Sequence, residues 1–583
     1  MVINGRQFRR MAMLGTAVIL APLLSPAQPA AAEPRLTLDN PTFTNAAAFD
    51  RTAPLRDVVR ARAASRASVS AAGPKVGDMR PDNGPSAANR PFAGDPAVQR
   101  HKPKPVIPGT KANFEGLSNQ DNFNVLGLRV NPPDPVGDVG PNNYVEMINL
   151  VFAVYSKTGA LLLGPVDTGT LWAGFPIDEC TEPSGDPIVI YDQFADRWIL
   201  TQFTTRGLDF PDEPANPFYN CVAISTTGDP TGSYYRYAFT TGFNFPDYPK
   251  YSVWKDSYVL TTRDFGDQTG YGVSVYALEK NKMVNGQAKA RAVQYFIDAF
   301  GAAGNLALVG DGLLPADVDG KAKPKNDAPI PIIGTQDAGA GYGATTDALN
   351  IFELDVHWNA KPVSSFNLAT QLPVAPFDSI FPCVPTGSRA CLPQPGTTAR
   401  LDILSYRQRP TFRLAYRNFG TYEALVTNQS VEAAPGVAGV RWYEVRRAKG
   451  AYSIYQQGTF APGDGVHRWM GSVAMDWQGN IALGYSVVNG TTVFPGIRYT
   501  GRLAGDPLGQ LTLGEGVIID GTGVQLSVNS RWGDYSAMST DPSDDCRFWF
   551  VSEYYTAAGQ ALSTAGWQTR VGSFQLPGCY TKY

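Results

Sequence analysis

Three aspartates in this sequence are candidates for catalytic carboxyl groups. Asp138, Asp186 and Asp534 each follow a glycine and lie beside a short apolar run. Two converging carboxyl groups, one of them with a raised pKa, can cleave a glycosidic bond by acid/base chemistry. One hypothesis is therefore a glycan-acting hydrolase in which these three aspartates are catalytic.

Basic and aromatic residues next to the same kind of apolar run are candidates for substrate binding. An arginine can hold an anionic group through two hydrogen bonds, and an aromatic ring can stack on a sugar. The substrate-binding candidates are Arg468, Trp469, Arg531, Trp532, Tyr535, Tyr248 and Lys250. The tryptophans have an alternative role in packing between sheets, because large aromatic side chains are mostly buried.

Two other roles remain open for the aspartates. An aspartate after glycine often caps its own turn by accepting hydrogen bonds from backbone N–H groups. Several carboxylates around a channel also suit Ca²⁺, which binds oxygen ligands. The metal candidates are Asp134, Asp317 and Asp319, and Ca²⁺ is the one cofactor that the sequence suggests.

Other kinds of chemistry lack their usual sequence motifs. The chain contains no G-x-S-x-G, no P-loop, no H-E-x-x-H and no C-x-x-C, and its three histidines lie far apart. These absences argue against a serine hydrolase, a nucleotide-binding enzyme and a zinc site. The alternative to a hydrolase is a non-catalytic protein that binds a polysaccharide or another protein through the same residues.

A recurring pair of short strands would position these residues. Clear copies begin near residues 137, 188, 251, 472 and 537, and weaker copies lie near residues 329 and 412. Gly, Pro, Asn or Asp ends almost every apolar run, which predicts an all-β protein. Seven such pairs predict a β-propeller of seven blades, or alternatively six, in which the residues before each inner strand meet at the mouth of a central channel. Two β-sandwich domains in tandem are the competing architecture.

Two strings carry a resemblance to a known family. Residues 132–142 (PPDPVGDVGPN) and 531–536 (RWGDYS), the latter followed by Asp544-Asp545-Cys546 and Phe548-Trp549-Phe550, resemble a mostly uncharacterised family of secreted bacterial proteins. The resemblance covers nearly all of residues 113–580 and implies export and a propeller fold, but no catalytic residues. Residues 472–480 (SVAMDWQGN) are loosely similar to the Asp-box turn of sialidases, without its full pattern.

The first 112 residues differ in composition from the rest. Three arginines precede an apolar run at residues 11–24, and Ala30-Ala31-Ala32 fits a cleavage site, so residues 1–32 are predicted to be a signal peptide. Residues 33–112 carry 13 Lys/Arg against 7 Asp/Glu and are rich in Ala, Pro and Ser. They are predicted to be a disordered linker or a pro-segment, with docking onto the body as an alternative. Residues 113–583 are the predicted propeller domain.

The cysteines and the charge define the expected compartment and partners. Six cysteines are expected to pair in chain order as Cys180–Cys221, Cys383–Cys391 and Cys546–Cys579. We therefore expect a secreted monomer, extracellular or periplasmic, without a transmembrane segment. Because the body is acidic, we expect an extracellular glycan or protein as partner and no nucleic acid.

Overall fold

Short runs of apolar residues become β-strands throughout the protein. The computed structural model describes residues 36–38, 40–65, 94–206, 217–266, 270–302, 304–339, 341–379, 390–403 and 408–580. These residues form many strands and only short helices, which confirms the all-β prediction. No helix in this part of the chain has the length and apolar character needed to cross a membrane. The predicted signal peptide lies outside the described residues.

Among the residues that the structure describes, five strands and two helices precede the main body. The strands are β1 (Thr37–Leu38), β2 (Thr42–Asn45), β3 (Ala48–Arg51), β4 (Val98–Gln99) and β5 (Ala112–Ser118), and the helices are α1 (Leu55–Ser65) and α2 (Asn119–Leu126). Helix α2 begins with a capping box, because Ser118 and Asp121 satisfy each other's backbone N–H groups.

The body consists of four-stranded antiparallel groups, here called units, in which consecutive strands pair. Unit one contains β6 (Val136–Val139), β7 (Asn143–Ile148), β8 (Val151–Ser156) and β9 (Leu161–Asp167). Unit two contains β10 (Val189–Asp192), β11 (Arg197–Phe203), β12 (Phe218–Ser225) and β13 (Tyr234–Gly242). Unit three contains β14 (Phe245–Val253), β15 (Ser257–Gly266), β16 (Gly270–Glu279) and β17 (Arg291–Asp298).

The next two units share one ten-stranded sheet. Unit four contains β18 (Leu314–Val318), β19 (Ile330–Gln336), β20 (Ala348–His357) and β21 (Val363–Pro373). After the separate hairpin of β22 (Ala390–Pro393) and β23 (Arg400–Asp402), unit five contains β24 (Thr411–Asn418), β25 (Glu423–Ala434), β26 (Val437–Ala448) and β27 (Ala451–Phe460). Parallel pairing of β18 with β24 joins the two units.

The last two units complete the series. Unit six contains β28 (His467–Met475), β29 (Ile481–Val488), β30 (Gly496–Arg502) and β31 (Glu515–Ile519). Unit seven contains β32 (Ala537–Thr540), β33 (Arg547–Tyr555) and β34 (Trp567–Gln575), and β5 pairs with β34 as its fourth strand. The remaining short helices are a 3₁₀ helix (Thr168–Trp172), α3 (Asp178–Thr181), α4 (Lys280–Val284), α5 (Asn305–Val309) and α6 (Ala557–Leu562).

The first strands of the units contact one another in chain order. Strand β6 contacts β10, and the contacts continue through β14, β18, β24 and β28 to β32, which in turn contacts β6. Aromatic rings pack between units, as where Tyr144 of unit one stacks on Trp549 of unit seven with ring centroids 5.4 Å apart. Trp254 of unit three likewise packs edge-on against Tyr416 of unit five at 5.0 Å.

The segment before the body is ordered where it is described. Strand β1 pairs with β21, β2 with β17, β3 with β13 and β4 with β27, so each extends the outer edge of a different unit. For residues 33–112 a disordered linker or a pro-segment was expected, with docking onto the body as the alternative, and the described residues of this segment have the strands just named. The physical reason is that an edge strand is held by backbone hydrogen bonds, which a polar, alanine-rich sequence can make as well as an apolar one.

Two of the three predicted disulfides are confirmed. Cys180 of α3 is bonded to Cys221 of β12, and Cys546 is bonded to Cys579 near the C-terminus, with Cα–Cα distances of 6.0 and 5.7 Å. Cys391 is also disulfide-bonded, but its predicted partner Cys383 lies outside the described residues.

Candidate functional site

The backbone adopts an unusual conformation just before the first strands of units one and two and within the first strands of units three and six. Asp134, Asp186, Tyr248 and Met470 have left-handed φ angles of 47°, 48°, 53° and 51°. Residues with a side chain rarely adopt this conformation, and where they do the strain is often stored at a functional site. Proline follows the first three of these residues and fixes the φ angle of the next position.

The carboxyl group of Asp186 connects three units. Its Oδ2 atom accepts a hydrogen bond from the backbone N–H of Tyr248 at 3.2 Å and one from the hydroxyl of Tyr535 at 2.9 Å. The backbone N–H of Asp186 donates to Oδ1 of Asn149 in unit one at 2.9 Å. The side chain therefore reaches units three and seven instead of capping its own turn.

Asp134 and Asp534 are also joined across units. Oδ1 of Asp134 accepts a hydrogen bond from the backbone N–H of Asp534 at 3.0 Å, and its Oδ2 accepts one from the Asn149 amide at 2.6 Å. The Asp534 carboxylate forms an ion pair with Arg409, whose Nη2 lies 3.0 Å from Oδ2. Arg531 adds a second positive charge, with Nη2 3.7 Å from Oδ1 of Asp534.

The amine of Lys250 lies between two tyrosine rings. Its Nζ atom is 3.0 Å from the ring centroid of Tyr248 and 3.5 Å from that of Tyr535. On the same ring of Tyr248, the guanidinium carbon of Arg409 lies 3.8 Å from the centroid. We call the eight residues that these contacts connect the central cluster; they are Asp134, Asp186, Tyr248, Lys250, Arg409, Arg531, Asp534 and Tyr535.

The environment shifts the pKa values of two carboxyl groups of the central cluster in opposite directions. Burial, together with the negative charges of Asp247 and Asp534, raises the pKa of Asp186 to about 7. Burial would also raise the pKa of Asp534, but the positive charges of Arg409, Arg531 and Lys250 outweigh it and lower that pKa. At neutral or mildly acidic pH, Asp186 can therefore hold a proton while Asp534 is ionised.

Burial also shifts the pKa values of Asp134 and Lys250 toward their neutral forms. Burial and the charges of Asp534 and Asp186 raise the pKa of Asp134 well above its ordinary value. Burial lowers the pKa of Lys250 well below its ordinary value, although Asp534 partly offsets the effect. All four residues are buried: Asp186 and Asp534 are each 6% exposed, against 2% for Asp134 and 1% for Lys250.

A second group of charges contains the remaining acidic candidates. The guanidinium of Arg413 pairs with Asp317 through Nε at 2.8 Å and with both oxygens of Asp319 at 2.8 and 2.9 Å. The carboxylate of Asp138 accepts hydrogen bonds from the backbone N–H groups of Tyr191 and Val139, each at 2.7 Å. Burial raises the pKa of Asp138 to about 7, and the charge of Arg413 opposes the shift.

This second group changes the expectations for Asp138 and for a metal. The predicted grouping of Asp138 with Asp186 and Asp534 is not what the structure shows, because Asp138 interacts with Arg413 and Asp317 instead. The carboxylates of Asp317 and Asp319 face Arg413, and Asp134 belongs to the central cluster. Among the described residues, no three His, Cys, Asp or Glu side chains come together in a way that could hold a metal ion.

Three substrate-binding candidates also lie apart from the central cluster. Arg468 is buried in unit six, where it forms paired hydrogen bonds with Asp464 and Glu515 at 2.8–2.9 Å. Trp469 and Trp532 are buried and pack on each other with ring centroids 5.0 Å apart. The two tryptophans therefore pack in the way that was the alternative to sugar stacking. The other four substrate-binding candidates belong to the central cluster; they are Tyr248, Lys250, Arg531 and Tyr535.

Sequence reasoning missed Arg409 and Asn149. Arg409 is fully buried and lies between Asp534 and Asp311, whose Oδ2 is 3.5 Å from Nη1. The sequence does contain a signal for Arg409, because this residue directly precedes a proline at the start of a strand. Arg409-Pro410 has the same place before β24 as Asp134-Pro135 before β6 and Asp186-Pro187 before β10.

Comparisons with known proteins give only distant similarities. No model of a known protein family matches the chain, and no curated protein matches it, so the resemblance to a secreted bacterial family remains a prediction. Among solved structures, a PL25 ulvan lyase is 11% identical over 81% of this chain and 95% of its own, with a TM-score of 0.34. Trypanosoma rangeli sialidase is 9% identical over 67% and 54% of the two chains, with a TM-score of 0.28. An endo-arabinase from Bacteroides thetaiotaomicron is 12% identical over 54% and 92%, with a TM-score of 0.23. Similarity this low supports no inference about the activity of this chain.

Proposed function

We propose that this protein is an exported, closed seven-bladed β-propeller that cleaves a glycan at the central cluster. Each unit would be one blade, with its first strand lining the central channel. The chain of contacts from β6 through β32 and back to β6 supports closure, as does the pairing of β5 with the last unit. The disulfides support an oxidising compartment, either extracellular or periplasmic.

The observation that carries the enzymatic proposal is the opposite pKa shift of Asp186 and Asp534. Glycosidases use one carboxylic acid to protonate the leaving oxygen and one carboxylate to act as base or nucleophile. In this proposal, Asp186 donates the proton and Asp534 is the ionised partner. Arg531, which retains some exposed surface, would bind an anionic or hydroxyl group of the sugar.

The supporting residues would hold this pair in position. The Tyr535 hydroxyl donates to Asp186, so it fixes the direction in which the acid presents its proton. Arg409 keeps Asp534 ionised through its ion pair, and Asp134 fixes the backbone of Asp534 by accepting its N–H. Calcium has no part in this proposal.

Hydrolysis assays with the full chain and three variants test the proposal. The substrates are neutral, uronic-acid-containing and sulfated glycans, and the variants are Asp186→Asn, Asp534→Asn and Asp476→Asn. Asp476 is the matched control, because it is a buried aspartate whose carboxylate caps its own turn by accepting from the backbone N–H groups of Gln478 and Asn480.

The expected result has both a rate and a pH signature. Wild type and Asp476→Asn should cleave at least one glycan, with a rate that falls as the pH rises through about 7 because Asp186 loses its proton. Asp186→Asn and Asp534→Asn should each lower the rate by about 10²–10⁴-fold. Equal activity in all four proteins would exclude the central cluster as the catalytic site. Saturable binding of one glycan without cleavage would establish the alternative, a non-catalytic binding propeller.

A further inference from the structure

One segment of the chain joins two neighbouring units at their outer edges. Residues 40–65, here called the clasp, contain β2, β3 and α1. Strand β2 pairs antiparallel with β17 of unit three, and β3 pairs antiparallel with β13 of unit two. The clasp thus adds a fifth strand to each of two sheets that are otherwise complete.

Two consecutive residues make the crossing between the units. The backbone N–H of Ala46 donates to the carbonyl of Ala290, just before β17, at 2.9 Å. The backbone N–H of Ala47 donates to the carbonyl of Ala238, in β13, at 2.8 Å. Separation of units two and three must therefore break at least one of these adjacent hydrogen bonds.

The clasp is held by backbone hydrogen bonds, by ion pairs at its margins and by apolar contacts such as the ring of Phe49, whose centroid lies 4.9 Å from that of Tyr237. The side chains of Thr42, Phe43 and Asn45 in β2 are exposed, so they contribute little apolar burial. Asp50 accepts two hydrogen bonds from the buried guanidinium of Arg236, and Arg56 pairs with Asp229 at 2.9 Å. Leu55 is the fully buried apolar side chain at the start of α1.

Units two and three each form a four-stranded sheet from strands that are consecutive in the chain. A sheet of this size with a hydrophobic face does not need a further strand in order to form. Without the clasp, however, β13 and β17 would present rows of unpaired N–H and C=O groups, which bind extended segments readily.

We propose that the outer edges of β13 and β17 form a strand-docking surface for the clasp of the same chain. The clasp is separable: the units fold first, and the clasp then binds across them and slows their separation. This inference does not depend on the proposed enzymatic activity, since the clasp shares no residue with the central cluster.

Unfolding kinetics of the full chain test the locking role. Ala46→Pro/Ala47→Pro removes both N–H donors, whereas the matched control Ala46→Ser/Ala47→Ser keeps them. Each lost hydrogen bond contributes about 1 kcal/mol, so the proline variant should unfold about tenfold faster or more in guanidinium, with an unchanged refolding rate. The serine control should stay within about twofold of wild type. A wild-type unfolding rate in the proline variant would overturn the proposal, as would refolding slowed by the same factor, because the clasp would then belong to the folding nucleus.

Peptide exchange tests whether the clasp is separable. A full-length variant carries the recognition sequence of a site-specific protease inserted after residue 80, and cleavage leaves the clasp attached only through its contacts. The cleaved fragment should stay bound to the body during gel filtration. An excess of a fluorescent peptide of residues 40–65 should then replace it, and the rise in fluorescence anisotropy of the peptide measures this exchange. The same peptide with Ala46→Pro/Ala47→Pro should bind at least about tenfold more weakly. Failure of the wild-type peptide to exchange, or equal binding of both peptides, would refute a strand-docking surface.

Discussion

The ion pair between Arg409 and Asp534 gives a quantitative test of the central cluster. Arg409 is fully buried, and its guanidinium lies 3.0 Å from the Asp534 carboxylate. Substitution of Arg409 by methionine keeps much of the side-chain volume but leaves a buried carboxylate with less compensation. Removal of one partner from a buried ion pair typically costs about 3–5 kcal/mol. Because Arg531 also lies near Asp534, we expect a loss of about 3 kcal/mol in the free energy of unfolding at pH 7.

The pH dependence distinguishes this electrostatic loss from a simple packing defect. In the wild type the pKa of Asp534 is lowered, so ionisation of this carboxyl group stabilises the native state above about pH 4. The stabilisation is lost as the pH falls through the pKa that Asp534 has in the native state. Without Arg409 the pKa of Asp534 should rise, and the ionised carboxylate then destabilises the native state. The difference between the two proteins should therefore decrease as the pH falls from 7 to about 4.

The assay is guanidinium unfolding of wild type, Arg409→Met, Asp534→Asn and the double variant at pH 7 and at pH 4.5. The double variant should regain about 2 kcal/mol relative to Arg409→Met, because position 534 then carries no charge and the buried Asp311 keeps its ion pair with Arg263 at 2.7 Å. Arg60→Met is the control for loss of a surface charge, since Arg60 is 79% exposed at its side chain and should change stability by less than about 0.5 kcal/mol. A loss below about 1 kcal/mol in Arg409→Met at pH 7, or no recovery in the double variant, would refute the electrostatic account of the cluster.

Three further predictions concern the rest of the body. Burial raises the pKa of Glu146 to about 7, as it does for Asp138 and Asp186, so wild-type stability should fall as the pH rises from about 4.5 to 7. Glu146→Gln should make this slope in melting temperature shallower by the share of one carboxyl group, and an unchanged slope would contradict it. The disulfide between Cys546 and Cys579 spans a sequence separation of 33, so Cys546→Ser/Cys579→Ser should lower the free energy of unfolding by about 4 kcal/mol. Guanidinium unfolding of the variant and of wild type, with and without reductant, measures this loss. Trp532→Phe should lower stability by about 1–3 kcal/mol but leave glycan affinity unchanged, because the indole packs on Trp469; a selective loss of affinity would restore its role as a stacking platform.

The sequence predicted local features of the fold well. The strand pairs expected near residues 188, 251, 472 and 537 correspond to β10–β11, β14–β15, β28–β29 and β32–β33. Alternating apolar residues and polar turns determine such hairpins locally, so their recognition needs no knowledge of distant partners. Chain-order pairing of the cysteines succeeded for Cys180–Cys221 and Cys546–Cys579 for a similar reason, because each bond closes a short segment.

Contacts between distant residues could not be predicted in the same way. Arg468 pairs with Glu515, which is 47 positions away on β31, and no local pattern indicates that partner. Arg409 meets Asp534 across 125 positions, and only the arrangement of the first strands brings the two together. The edge strands β2 and β3 were missed because composition reports side-chain burial, whereas their attachment depends on backbone groups that every sequence carries.

The charges of the central cluster are not required by the turns that hold them. The residue before the proline near the start of the first strand is Asp186 in unit two but the buried apolar Leu314 in unit four. In unit six the buried Met470 lies at a bulge within the first strand. Met470 even shares the left-handed backbone of Asp186, so an apolar side chain is compatible with the same conformation. Buried ion pairs are frequently no more stabilising than well-packed apolar residues. A chain selected for stability alone could therefore have used apolar residues at these positions, and the carboxyl groups there agree with the chemical role that we propose for the central cluster.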